Sequence, residues 1–143
     1  MSTVRQLLAA KKITDVYAVA PDAAVIEAIR LMAEKGVGAV LVMHGRRLAG
    51  ILSERDYARK VVLRERSSAT TWVREIMTSE VVTVTPDHSA DSCMRLMTDN
   101  RIRHLPVVEA GEVIGVVSIG DLVKAIIEEQ QQELDHLQRY IAS

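Results

Sequence analysis

Two stretches of this 143-residue chain carry residue types that could do chemistry, and they are near copies of each other. One reads Gly50-Ile51-Leu52-Ser53-Glu54-Arg55-Asp56, the other Gly115-Val116-Val117-Ser118-Ile119-Gly120-Asp121. Each is an apolar, strand-like run that ends in Ser-x-x-Asp and passes into a helical pattern. Such a junction presents a hydroxyl and backbone N–H groups at a helix N-terminus, where the partial positive charge favours an anion. The Asp, one turn further on, accepts hydrogen bonds and, when ionised, donates none. A phosphate near the Ser and a sugar diol near the Asp would suit this arrangement. The same spacing also makes a helix-capping box, with Asp in place of the usual Glu or Gln. For a single copy the cap is the simpler explanation; duplication shifts the balance towards a ligand.

The other reactive side chains form no comparable set. His44, His88, His104 and His136 lack metal-ligand spacing, and no Ser-His-Asp or Cys-His arrangement stands out. Gly36-Val37-Gly38 lacks the further Gly and the Lys of a phosphate loop. Cys93, the only cysteine, cannot form an internal disulfide; it falls on an apolar helical face and reads as a small core residue. Neither catalysis nor a metal site is expected. A net charge of −1 and an aromatic content of 3% give no electrostatic footprint or stacking platform for nucleic acid. The longest apolar run, residues 37–43, is far too short to cross a bilayer, and residues 1–8 contain no signal-peptide core. A cytoplasmic protein without membrane or nucleic-acid partners is expected. With no Phe, its core must be built from Val, Ile, Leu, Ala and Met.

The elements that position the two Ser-x-x-Asp corners repeat as well. Val4, Leu7 and Leu8 mark a short helix, followed by the basic pair Lys11-Lys12. A strand is expected over 16–19, and a helix from Pro21-Asp22 to Gly36 with Val25, Ile26, Ile29, Met32 and Ala33 on its apolar face. Strands 37–43 and 48–52 suggest a hairpin, and a second helix runs from Ser53 to about Glu65. Residues 67–71 are linker-like. The order then restarts: Val73-Arg74-Glu75-Ile76-Met77 echoes Val4-Arg5-Gln6-Leu7-Leu8. A strand over 81–85, a helix from Pro86-Asp87 to about Asn100, and a hairpin of 104–108 with 113–117 follow. Pro21/Pro86, Asp22/Asp87, Gly50/Gly115, Ser53/Ser118 and Asp56/Asp121 all match at an offset of 65 residues (86 − 21 = 121 − 56 = 65). The fold class is α/β (α+β): two β-α-β-β-α repeats, each too small to fold alone, packed about a pseudo-twofold axis. The expected boundaries are 1–66 and 72–128 for the repeats, 67–71 for the linker and 129–143 for a helical extension. From Leu122 the chain reads as one long helix. Ile127, Leu134 and Ile141 lie seven apart with Leu137 between, so a partner helix and the chain's own core are both open as its packing surface.

With this order of motifs, the chain resembles a tandem CBS-domain pair (a Bateman module) of the stand-alone bacterial type. The resemblance rests on residues 73–78 (Val-Arg-Glu-Ile-Met-Thr), 82–87 (Val-Thr-Val-Thr-Pro-Asp), 101–107 (Arg-Ile-Arg-His-Leu-Pro-Val) and 115–121, with a looser first copy. It implies a non-catalytic regulatory module that binds an adenine nucleotide: AMP first, with ATP, ADP or NAD as alternatives. By resemblance, Ser53 and Asp56, and Ser118 and Asp121, meet phosphate and the ribose hydroxyls. Thr78 and Val82 line the adenine edge, with Tyr17 at the position of Val82 in the first copy. Arg103 and His104 lie near ribose and phosphate; the first copy has Gly38 and Ala39 there. Arg55, where the second copy has Gly120, could complement that missing cationic pair by serving a phosphate held partly by the other half. A homodimer and an unidentified regulated protein are implied as partners. The rival reading is a ligand-free dimerisation scaffold.

Overall fold

The computed structural model describes residues 2–11 and 16–142; Lys12, of the basic pair, lies outside them. The chain divides into two compact units that cut across the order of the sequence repeats. One combines Met1–Thr14 with Val82–Ser143, and the other is Asp15–Val81. Each unit therefore takes its short leading helix from the segment that precedes the other unit's sheet.

In the Asp15–Val81 unit, β1 (Ala18–Val19) pairs in parallel with β2 (Ala39–His44), which pairs antiparallel with β3 (Arg47–Ser53). The helix α2 (Val25–Lys35) turns Val25, Ala28 and Met32 into the core. As expected, Gly36 stops it, in the left-handed conformation that costs glycine least (φ 65°). The stretch expected as one helix from Ser53 to about Glu65 is instead a four-residue helix α3 (Glu54–Tyr57) that widens into a π-helical turn over Ala58–Val62. The leading helix here is α4 (Val73–Ile76), with Val73 and Ile76 buried. Its first amides donate to the loop before α2, Val73 N to Ala23 O at 2.9 Å and Arg74 N to Pro21 O at 2.9 Å. They thereby satisfy groups that have no partner within a helix.

The other unit repeats the scheme. Here α5 (Ala90–Asn100) packs with the hairpin β4 (His104–Glu109) and β5 (Glu112–Ser118), and β5 runs directly into α6 (Ile119–Ala142). The leading helix is α1 (Val4–Ala10). Val4 N donates to His88 O at 2.8 Å and Arg5 N to Pro86 O at 3.0 Å, the counterparts of the bonds at Ala23 and Pro21. Two expectations are corrected. Residues 81–85 pair through a single bridge, Val84 to Val107, rather than as a strand. The helix begins at Ala90, capped by Ser89, rather than at Pro86-Asp87; it ends at Asn100 as expected, with Arg101 in the left-handed cap (φ 54°).

The matched glycines are explained by close approach. A Cβ on Gly115 would lie 2.8 Å from the Leu8 side chain of α1, and one on Gly50 would lie 2.7 Å from Met77 Sδ and 2.7 Å from Thr78 O. Each glycine lets the leading segment lie against the middle of the last strand. Both cores are aliphatic with Met and Cys, and no aromatic side chain is among the buried hydrophobics described. The helix α6 buries Leu122 and Ala125 and then leaves the core, with Ile127, Leu134, Leu137 and Ile141 exposed. Among the described residues, no helix is long and apolar enough to cross a membrane.

Candidate functional site

The two Ser-x-x-Asp corners sit where the last strand of each unit becomes a helix. At the β5–α6 junction, Ser118 N donates to Asp121 Oδ2 at 2.9 Å and Asp121 N donates to Ser118 Oγ at 3.2 Å. At the β3–α3 junction, Ser53 N donates to Asp56 Oδ2 at 3.0 Å and Asp56 N to Ser53 Oγ at 3.1 Å; Ser53 Oγ also donates to Asp56 Oδ2 at 3.0 Å. Both are therefore capping boxes. In each, the cap's bonds to the carboxylate all end on Oδ2, which leaves Oδ1 outside the cap.

The hairpin register brings the other anticipated residues to these corners. His104 lies opposite Ser118 in the β4–β5 ladder, and Arg103 O accepts from Ile119 N at 2.9 Å, so Arg103 and His104 flank the first residue of α6. In the other unit Ala39 lies opposite Ser53, and Gly38 O accepts from Glu54 N at 3.0 Å. The two sets correspond position for position. A Cβ at Gly120 would meet only Ser118 Oγ, at 3.7 Å, so the backbone of the first turn of α6 is open to approach. The equivalent α3 position carries Arg55, which is exposed.

The remaining predicted residues divide between the units. Thr78 exchanges two backbone hydrogen bonds with Ile51 of β3, at 2.9 and 3.0 Å, and so accompanies Ser53 and Asp56. Tyr17 is in the same unit. Its carbonyl accepts from Leu41 N at 2.9 Å, and the Lys35 ammonium lies 5.6 Å above its ring. Val82 accompanies Ser118 and Asp121, partly buried against that core. Thr78 and Val82 thus belong to different compact units.

Two lysines that the sequence reading assigned no role reach the corner carboxylates. Lys11 Nζ donates to Asp121 Oδ2 and to Val116 O, both at 2.9 Å. Lys60 Nζ donates to Ile76 O at 3.0 Å and stands 3.5 Å from Asp56 Oδ1. The helical i,i+4 spacing from Asp56 could have revealed Lys60; nothing local could have revealed Lys11, 110 residues from Asp121. Burial raises the Asp121 pKa, but the Ser118 amide and the Lys11 hydrogen bond and charge outweigh it, and the net shift is downward. Asp121 is therefore an ionised acceptor near neutral pH.

Chemically, the corners offer carboxylate and hydroxyl acceptors next to cationic side chains. Cys93 is buried, and burial pushes its thiol pKa up, the opposite of an activated thiol. Among the described residues, no cluster of His, Cys, Asp and Glu could hold a metal ion.

The model of the CBS domain family matches residues 4–63 and again 73–128. A solved structure of a protein with CBS domains from Burkholderia ambifaria is 56% identical, superposes with a TM-score of 0.87, and covers 90% of this chain and 96% of that one. The mitochondrial CBS domain-containing protein CBSX3 of Arabidopsis thaliana is 46% identical over 125 residues; the match takes in 84% of this chain and 61% of the plant protein. At 20% identity, the CBS domain pair of protein MJ0100, solved in complex with 5′-methylthioadenosine and S-adenosyl-L-methionine, shares the fold with a TM-score of 0.78 over 90% of this chain and 98% of that one.

Proposed function

The chain belongs to the CBS domain family, and from that premise we propose that it is a non-catalytic regulatory module whose Ser-x-x-Asp corners bind an adenosine-containing ligand. The observation that carries this reading is the form of the caps. Each closes on one carboxylate oxygen, so capping and accepting a ribose hydroxyl are not exclusive roles for Asp56 and Asp121. The adenosine compounds held by the pair of MJ0100 support the ligand class.

In this reading Ser118, Asp121, Arg103 and His104 hold ribose and phosphate in one unit, with Val82 on the adenine edge. Ser53, Asp56 and Arg55 do so in the other, with Gly38 and Ala39 in the places of Arg103 and His104, and Tyr17 and Thr78 on the adenine edge. Arginine suits phosphate because its planar fork donates two hydrogen bonds at once. AMP is the first candidate, followed by ADP, ATP and NAD. Occupancy is passed to a second copy of the chain or to another protein, for which the exposed apolar residues of α6 provide surface. The buried, unpaired Cys93 is in keeping with work in the cytoplasm.

Thermal unfolding against these nucleotides and S-adenosylmethionine tests the proposal. A ligand at a hundredfold over its Kd stabilises the fold by about 2.7 kcal/mol, and Ser118→Ala lowers its affinity. The bonds of the caps favour one other reading, a ligand-free dimerisation scaffold. It predicts no stabilisation by any of these compounds, and a loss of only about 1 kcal/mol of stability on Ser118→Ala.

A further inference from the structure

The contact between Lys11 and Asp121 bears on which ligands the β5–α6 corner prefers. Two donors, the Ser118 amide and the Lys11 ammonium, both at 2.9 Å, fill the acceptor capacity of Asp121 Oδ2. Lys11 is itself fixed by Val116 O at 2.9 Å, and its side chain is only 26% exposed. As it stands, the corner can take one sugar hydroxyl on Oδ1. A vicinal diol that engages both oxygens must displace the ammonium, and a displaced, partly buried ammonium needs another anion.

We infer that Lys11 is a specificity-determining residue of this corner, favouring ribosyl ligands that carry a phosphate over neutral nucleosides. A phosphate next to Ser118 gives the displaced ammonium a new counter-charge, whereas a neutral nucleoside leaves it only the Val116 carbonyl. The corner at Asp56 works differently. Lys60, like Lys11, is bonded to a backbone carbonyl, but it stands 3.5 Å from Asp56 Oδ1 and makes no hydrogen bond to the carboxylate that a sugar hydroxyl would have to break.

The inference rests on the ligand class proposed above, and calorimetric titration with AMP and with adenosine separates the two. The chain prefers AMP; Lys11→Met narrows that preference about tenfold, chiefly by tightening adenosine. Lys11→Gln, which retains a hydrogen-bond donor without the charge, narrows it as well and covers the case in which the Met variant fails to fold. Lys11→Arg keeps the preference, and Lys60→Met leaves it within twofold. An unchanged ratio of AMP to adenosine affinity in both neutral Lys11 variants would overturn the inference while the ligand class stands. Failure of every form to bind either compound would overturn both.

Discussion

The two corners share backbone hydrogen bonds, register and carboxylate, and differ in where their lysine comes from. At Asp56 the lysine is local: Lys60 is one helical turn on and also ties the helix to α4 through Ile76 O. At Asp121 the corresponding helix position, 125, is a buried alanine, and the ammonium arrives from the end of the α1 segment. The first corner carries its own counter-charge, whereas the second depends on α1 being docked. Flanking residues accentuate the difference, Gly38 and Ala39 against Arg103 and His104. Duplication preserved the geometry, and the charge at each corner is supplied separately.

Three pairs of substitutions sharpen or break this comparison. The largest effect is expected at the glycines. Gly50→Ala drives a Cβ against a backbone oxygen and should cost about 3 kcal/mol. Gly115→Ala meets only the end of Leu8, which can rotate, and should cost about 1 kcal/mol. Urea unfolding of the two variants measures this, and equal losses would show that the leading segments are held alike. Next, Asp121→Asn should cost about 2 kcal/mol, because it strands a partly buried lysine, against about 1 kcal/mol for Asp56→Asn.

Acid titration gives the same test another form. The folded chain holds the Asp121 pKa below its ordinary value, so the unfolded chain takes up that proton at the higher pH. The stabilisation is complete above the ordinary carboxylate range and is lost as pH falls through the folded value. Melting temperature should drop on acidification more steeply in the unmodified chain than in Asp121→Asn. The smallest effects belong to the caps: Ser53→Ala and Ser118→Ala should each cost about 1 kcal/mol, with Ser53 the larger because its hydroxyl also donates to Asp56.

Much of the fold was legible because it is written in local periodicity and in the 65-residue offset. Both hairpins, the helix stop at Gly36 and the long C-terminal helix follow from such signals. The exchange of leading helices was not. Residues 4–8 and 73–77 resemble each other, and no local pattern says which sheet each will cover. The choice is made by distant partners, such as Val4 with His88 and Val73 with Ala23. The expected second-repeat strand reduces to a bridge because only Val84 meets β4. At the site, the pairing of Ser with Asp and the flanking of Ser118 by Arg103 and His104 could be anticipated from spacing and resemblance. The arrival of Lys11 depends on the chain's long-range path.

The central claim is that the Ser118–Asp121 corner receives an adenosine ligand, and a titration of the isotope-labelled chain with AMP, followed by amide NMR, tests it most directly. The account predicts saturable shifts at Ser118, Gly120 and Asp121 together with Arg103 and His104, all lost in Asp121→Asn. Binding that leaves those five amides unmoved, or no shift anywhere at millimolar AMP, would contradict it.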